Sequence, residues 1–170
     1  MGQVRWEISV DHEKYMKEAL REAKKAEQLG EVPIGAVVVK DGQIVGRGYN
    51  RRELDNDPTA HAEMIAIREA SERLGSWRLN DCELYVTLEP CPMCAGAIVQ
   101  ARIDTVVYGT EDPKAGAAGT LLNLLQDERF NHQTNMISGV MKEECSTILT
   151  SFFRVLRQRK KEQKQNRVNR

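Results

Sequence analysis

In the stretch TLEPCPMCAGAIVQAR, residues 87–102, two cysteines are separated by Pro-Met between a β-rich run and a short apolar helical run. With Cys91 as the N-cap, Pro92 takes the first helical position and Cys94 the third. Both sulfurs can then turn towards one point, where unpaired backbone N–H groups and the helix dipole favour thiolates. Such a pair is half of a zinc site or a redox dithiol; a thioredoxin-like dithiol needs its first cysteine free to attack and does not need a nearby histidine. A histidine is at hand: TAHAEM puts His61 in the first turn of another helix. Two helix starts facing one spot give a His-Cys-Cys set. Closed structural zinc sites have four protein ligands, whereas catalytic ones keep three and leave a position for water.

A fourth ligand is hard to find. Cys82 stands at the far end of the strand that leads to Cys91, roughly 20 Å away at about 3.3 Å per residue. Cys145 falls on an apolar helical stripe and reads as core. His12 begins the first helix without an evident partner, and His132, in RFNHQT, reads as a loop residue. The open, three-ligand site is therefore the leading expectation. Glu63 lies two residues from His61, and positions two apart do not share a helix face. Spacing alone leaves it either beside the water or as a surface acid that stabilises the helix dipole.

The elements that must position these side chains follow from pattern. DHEKYMKEALREAKKAEQLG predicts an amphipathic helix with Asp11 as its N-cap and Gly30 as its stop. IGAVVVK and QIVGRGYN, joined by Asp41-Gly42, predict a two-residue hairpin. A helix is expected from near Pro58-Thr59 to Gly75. ELYVTLE, PMCAGAIVQA and IDTVVYG form a strand–helix–strand unit, so their strands should be parallel with a right-handed crossover. EDPKAGAAGTLLNLLQ reads as a loop followed by a helical turn or two, MISGVM as the last strand. A final helix carries Cys145, Ile148, Leu149, Phe152 and Leu156 on one face. The fold class is α/β, a mixed sheet of about five strands, flanked by helices, with an N-terminal antiparallel hairpin. Parallel strands place ligands beyond their carboxyl ends, where Cys91 stands.

The 170 residues suit a single domain with a basic end from about residue 154. Arg5 and Glu7 interrupt any signal-peptide core, and Trp6 stands where myristoylation wants Ser or Thr. No run approaches the roughly 18–20 apolar residues of a membrane span. The expected setting is cytoplasmic, with thiols reduced and available to metal or catalysis. Formal charge is zero but uneven: residues 154–170 hold eight Lys or Arg against Glu162, leaving 17 basic and 24 acidic residues in the rest. The basic segment reads either as a solvated, frayed helix end or as an attractor for a polyanion such as RNA.

His61-Ala62-Glu63 followed by Pro90-Cys91-Pro92-Met93-Cys94 resembles the signature of zinc-dependent nucleobase deaminases, within the cytidine/deoxycytidylate deaminase superfamily. Together, EVPIGAVVV, GRGYN, EPCPMCAGAIVQARI, EDPKAGAAGT and SFFRVLRQ resemble the bacterial tRNA-specific adenosine deaminases over about residues 10–160. The resemblance implies a cytidine-deaminase-like three-layer α/β/α sandwich. It implies one zinc per subunit held by His61, Cys91 and Cys94, with Glu63 as proton shuttle. The implied reaction is hydrolysis of the wobble adenosine of a tRNA anticodon stem-loop to inosine, releasing ammonia, by a homodimer without organic cofactor or membrane. Asn50 is then expected to bind the base, and Asp112 and Lys114 to lie near the substrate backbone. At the end of the last helix Phe153 could stack on a base and Arg154 grip phosphate, with Phe152 in the core and Lys160 and Lys161 adding salt-sensitive attraction. Two alternatives stand beside this one: a deaminase of free guanine, cytidine or deoxycytidylate on the same fold, and an RNA-binding module with a structural zinc.

Overall fold

The computed structural model describes residues 4–170, with side chains from His12 onward. Its elements run α1 (Val4–Gln28), β1 (Gly35–Lys40), β2 (Gln43–Tyr49), α2 (Ala62–Leu74), β3 (Cys82–Leu88), α3 (Pro92–Gln100), β4 (Thr105–Thr110), β5 (Asn135–Ser138) and α4 (Lys142–Val168). One five-stranded sheet has the order β2-β1-β3-β4-β5. β1 pairs antiparallel with β2 and β3, whereas β3–β4 and β4–β5 are parallel.

Alternation along the strands makes the three layers. Ala36 and Val38 of β1 join Leu84, Val86 and Val106 against α2 and α3, while Val37 and Val39 join Tyr85 and Val107 against α1 and the start of α4. A strand apolar at every position is what a sheet covered on both faces demands. On the first face α2 comes very close to β2. A Cβ built on Gly46 would lie 2.2 Å from the carbonyl oxygen of Ala66, and one on Gly48 2.3 Å from that of Ala62. The Asp41-Gly42 turn forms as expected, both residues having positive φ.

Several boundaries differ from expectation. α1 begins at Val4, so Asp11 lies within the helix, and its side chain, like those of Arg5, Trp6 and Glu7, is outside the described residues. α2 begins at Ala62, not near Pro58-Thr59, because Asp57 Oδ1 accepts from both the backbone N–H and the hydroxyl of Thr59, closing a turn ahead of it. No helical turn forms over TLLNLLQ: the amides of Leu121 and Leu122 donate to Gly116 and that of Leu124 to Ala117, so the chain folds back on itself. β5 ends at Ser138, since Gly139 (φ 83°) and Met141 (φ 52°) take left-handed conformations that no strand can continue. α4 runs on to Val168, so the basic segment is helical rather than frayed.

Candidate active site

Two helix starts meet at the carboxyl end of β3. His61, with extended backbone, is the N-cap of α2. Cys91 is the N-cap of α3, with Pro92 as its first residue, and its sulfur accepts from the amide of Cys94 at 3.5 Å. His61 Nδ1 lies 3.6 Å from Cys91 Sγ and 3.6 Å from Cys94 Sγ. The three donor atoms lie within 4.8 Å of one another, close enough to hold one metal ion. A tetrahedral centre with bonds of about 2.0–2.1 Å to nitrogen and about 2.3 Å to sulfur requires a nitrogen–sulfur separation of about 3.6 Å. The donor set fits such a centre.

Electrostatics agree. Two sulfurs this close cannot both ionise without a cation. The hydrogen bond from Cys94, assisted by His61, pulls the Cys91 thiol down to about 4, while the Cys91 thiolate and burial push Cys94 far up. The hydrogen bond to Cys91 also raises His61. A divalent cation would resolve the contest by taking the place of the shared proton.

Glu63 is not a surface acid. It is 4% exposed and lines a cavity of about 760 Å³ together with His61 and Cys91. Burial raises its carboxyl above the usual range, so the group is poised to hold a proton as well as to accept one.

Asn50, Asp112, Lys114 and Phe153 line the same cavity; Arg154 does not, and Arg157, one turn further along α4, does. Asn50 also holds its own loop: its Nδ2 donates to Val32 O and its Oδ1 accepts from the Arg52 amide. An amide nitrogen has two hydrogens, and Val32 uses one. Asp112 Oδ1 accepts from the amides of Lys114 and Ala115, which shapes the loop. Phe152 is half-buried and meets Phe153 edge to face.

The remaining candidates are structural. Cys82 and Cys145 are fully buried. His12 Nδ1 pairs with the Tyr85 hydroxyl at 2.7 Å, and His132 Nε2 with Ile103 O at 2.7 Å.

Sequence reasoning passed over Glu89, the residue just before Pro90-Cys91. It is 2% exposed and lines the cavity. Its Oε1 accepts from the Asp112 amide and the Thr120 hydroxyl, and its Oε2 from the amides of Ala118 and Thr120. A single acid at the end of a strand gives no sign of this in sequence. Arg157 was within reach of sequence reasoning, since it follows Phe153 by four residues on one helix face.

Residues 10–157 match the MafB19-like deaminase family. The tRNA-specific adenosine deaminase of Bacillus subtilis (strain 168) is 59% identical over 154 residues, covering 91% of this chain and 96% of that protein. The chain belongs to the tRNA-specific adenosine deaminase family. A structure from a study of A-to-I editing by tRNA:A34 deaminases at the wobble position shares 46% identity with this family member. It superposes with a TM-score of 0.77 over 80% of this chain and 99% of its own. The X-ray structure of guanine deaminase from Bacillus subtilis shares 48% identity at a TM-score of 0.58, over 64% of this chain and 70% of its own.

Proposed function

We propose that this chain hydrolyses the wobble adenosine of a tRNA anticodon to inosine, with release of ammonia, using zinc held by His61, Cys91 and Cys94. The observation that carries the reading is the buried carboxyl of Glu63 in the cavity lined by two helix N-caps whose donor atoms have tetrahedral spacing. Zinc bound there supplies a Lewis acid that brings the ionisation of water near neutral pH.

The chain's own residues do the rest. Glu63 takes the proton from water as oxygen adds to C6 of adenine and delivers it to the adjacent ring nitrogen; it then takes the remaining proton of the C6 hydroxyl and passes it to the amine, so that the C6–N bond breaks, ammonia leaves and C6 becomes a carbonyl. Its raised pKa suits a group that must give the proton back. Asn50 offers an amide hydrogen to a base acceptor, and the apolar walls from Val32, Ile34 and Leu149 enclose the ring. Asp112, Lys114, Phe153 and Arg157 line the same cavity, and in this reading they meet the ribose-phosphate chain and neighbouring bases. A cavity of about 760 Å³ has room for an extruded nucleoside with parts of its neighbours. An anticodon loop presents such splayed bases.

A homodimer acting on tRNA in the cytoplasm completes the proposal. The likeness to the tRNA-specific relatives supports tRNA as the substrate, and no helix among the described residues is long and apolar enough to cross a membrane. The likeness to guanine deaminase favours one rival, hydrolysis of a free purine. Purified protein should convert adenosine to inosine in an anticodon stem-loop, read as A-to-G changes on sequencing. Ammonia from free guanine with an unchanged stem-loop would overturn the proposal.

A further inference from the structure

The cavity wall does not end where the body of the protein ends. α4 supplies Ser146, Leu149, Thr150, Phe153 and Arg157 to the cavity and then continues to Val168 with every residue from Arg157 on exposed. At about 100° per residue, the cavity-facing stripe through Thr150, Phe153 and Arg157 passes next through Lys160, Lys161, Lys164 and Arg167. Glu162, the only acid of the segment, falls on the opposite side of the helix, beside Asn166. No salt bridge among the described residues involves any of these five cations.

From this phase relation we infer that α4 beyond Arg157 is a rail for the phosphates of the double-stranded stem that carries the reacting loop. This rests on the RNA reading above and adds the duplex as a second recognised element. Arg157 to Arg167 spans about 15 Å along the helix axis, a length over which a nucleic-acid duplex presents several phosphates. Like charges at Arg157 and Lys161, and at Lys160 and Lys164, repel one another at i, i+4 spacing, a cost that a facing row of anions removes. A membrane surface fits less well. A helix lying on lipid needs a broad apolar face, and the back of this one carries Gln158, Arg159, Glu162, Gln165 and Asn166.

The test measures binding by full-length protein of an anticodon stem-loop and of the same loop without its stem, over a range of salt concentrations. The variant K160Q/K161Q/K164Q/R167Q should bind the stem-loop about 10- to 100-fold more weakly at low salt. Its salt dependence should be shallower by about 3 in the log–log slope, at about 0.7–0.9 per lost phosphate contact. The R159Q/R170Q variant, which removes charge from the far side, should match wild type, and neither variant should change binding of the loop alone. An unchanged stem-loop slope in the quadruple variant overturns the rail, as does an equal loss for the loop alone. A loss confined to phosphatidylserine vesicles would assign the stripe to lipid and overturn it too. Wild type that binds the stem-loop without forming inosine would refute the proposed reaction and leave the rail standing.

Discussion

Glu89 holds the amide of Ala118 at 3.0 Å and thereby ties the end of β3 to the loop that walls the cavity. Asp112 and Thr120 bind the same carboxylate, so both ends of residues 112–120 converge on one buried group.

Replacing that carboxylate should loosen the wall. Glu89→Gln turns one acceptor oxygen into a donor that faces backbone N–H groups, which should cost about 2 kcal/mol. Amide exchange should quicken across residues 112–120 while α2 and α3 stay protected; unchanged protection there would remove Glu89 from this positioning role. Gly116→Ala should have a similar effect, because its Cβ would lie 2.4 Å from Glu89 Oε2.

Glu63→Gln keeps the size of the side chain and removes its proton transfer. Turnover on an anticodon stem-loop should fall by about 10²- to 10⁴-fold or more, with zinc content unchanged. Full activity in this variant would show that the carboxyl is a bystander.

Loss of a donor should act on the metal first. His61→Ala and Cys94→Ala should each purify with well under one zinc per chain, and chelation of wild type should lower its melting temperature. Elemental analysis beside calorimetry reads both; wild-type metal content in Cys94→Ala would point to another ligand.

Cys145 offers a pH test remote from the site. Burial pushes its thiol up to about 12, whereas an unfolded thiol ionises near about 8.5. Between those values the unfolded chain releases a proton that the folded chain keeps. The stability contribution is therefore full below the lower value and disappears as pH rises through the upper one. Unfolding free energy of wild type should fall between pH 9 and 11 more steeply than that of Cys145→Ala, by up to about 1.4 kcal/mol per pH unit. Parallel curves would show the thiol ionising freely in the native state.

The sequence carried its clearest information where local chemistry and tertiary role coincide. Cys91, Pro92 and Cys94 occupy the N-cap, first and third helical positions that their spacing predicts, because each residue type is favoured there by the helix start itself. The continuous apolar run of β1, buried on both faces, and the Asp41-Gly42 turn were equally readable. The start of α2 was missed because Pro58-Thr59 is as good a helix opening as His61, and only the bonds from Asp57 to Thr59 decide between them. Leu121 to Leu125 look helical by composition, but the amides of Leu121, Leu122 and Leu124 are claimed by Gly116 and Ala117 through a loop whose anchor, Glu89, is distant in sequence. Arg154 and Arg157 differ by one turn, so choosing between them needed the helix phase relative to the cavity.

The clearance between α2 and β2 governs a centre that neither strand residue touches. A methyl group at Gly48 would press on Ala62 O, the backbone next to His61, and one at Gly46 on Ala66 O. Metal–ligand bonds tolerate displacements of about 0.2 Å. A helix lifted by even a few times that amount would carry its imidazole out of range of both sulfurs. Two bare α-carbons in an edge strand thus act as shims that set the bite of the proposed metal clamp.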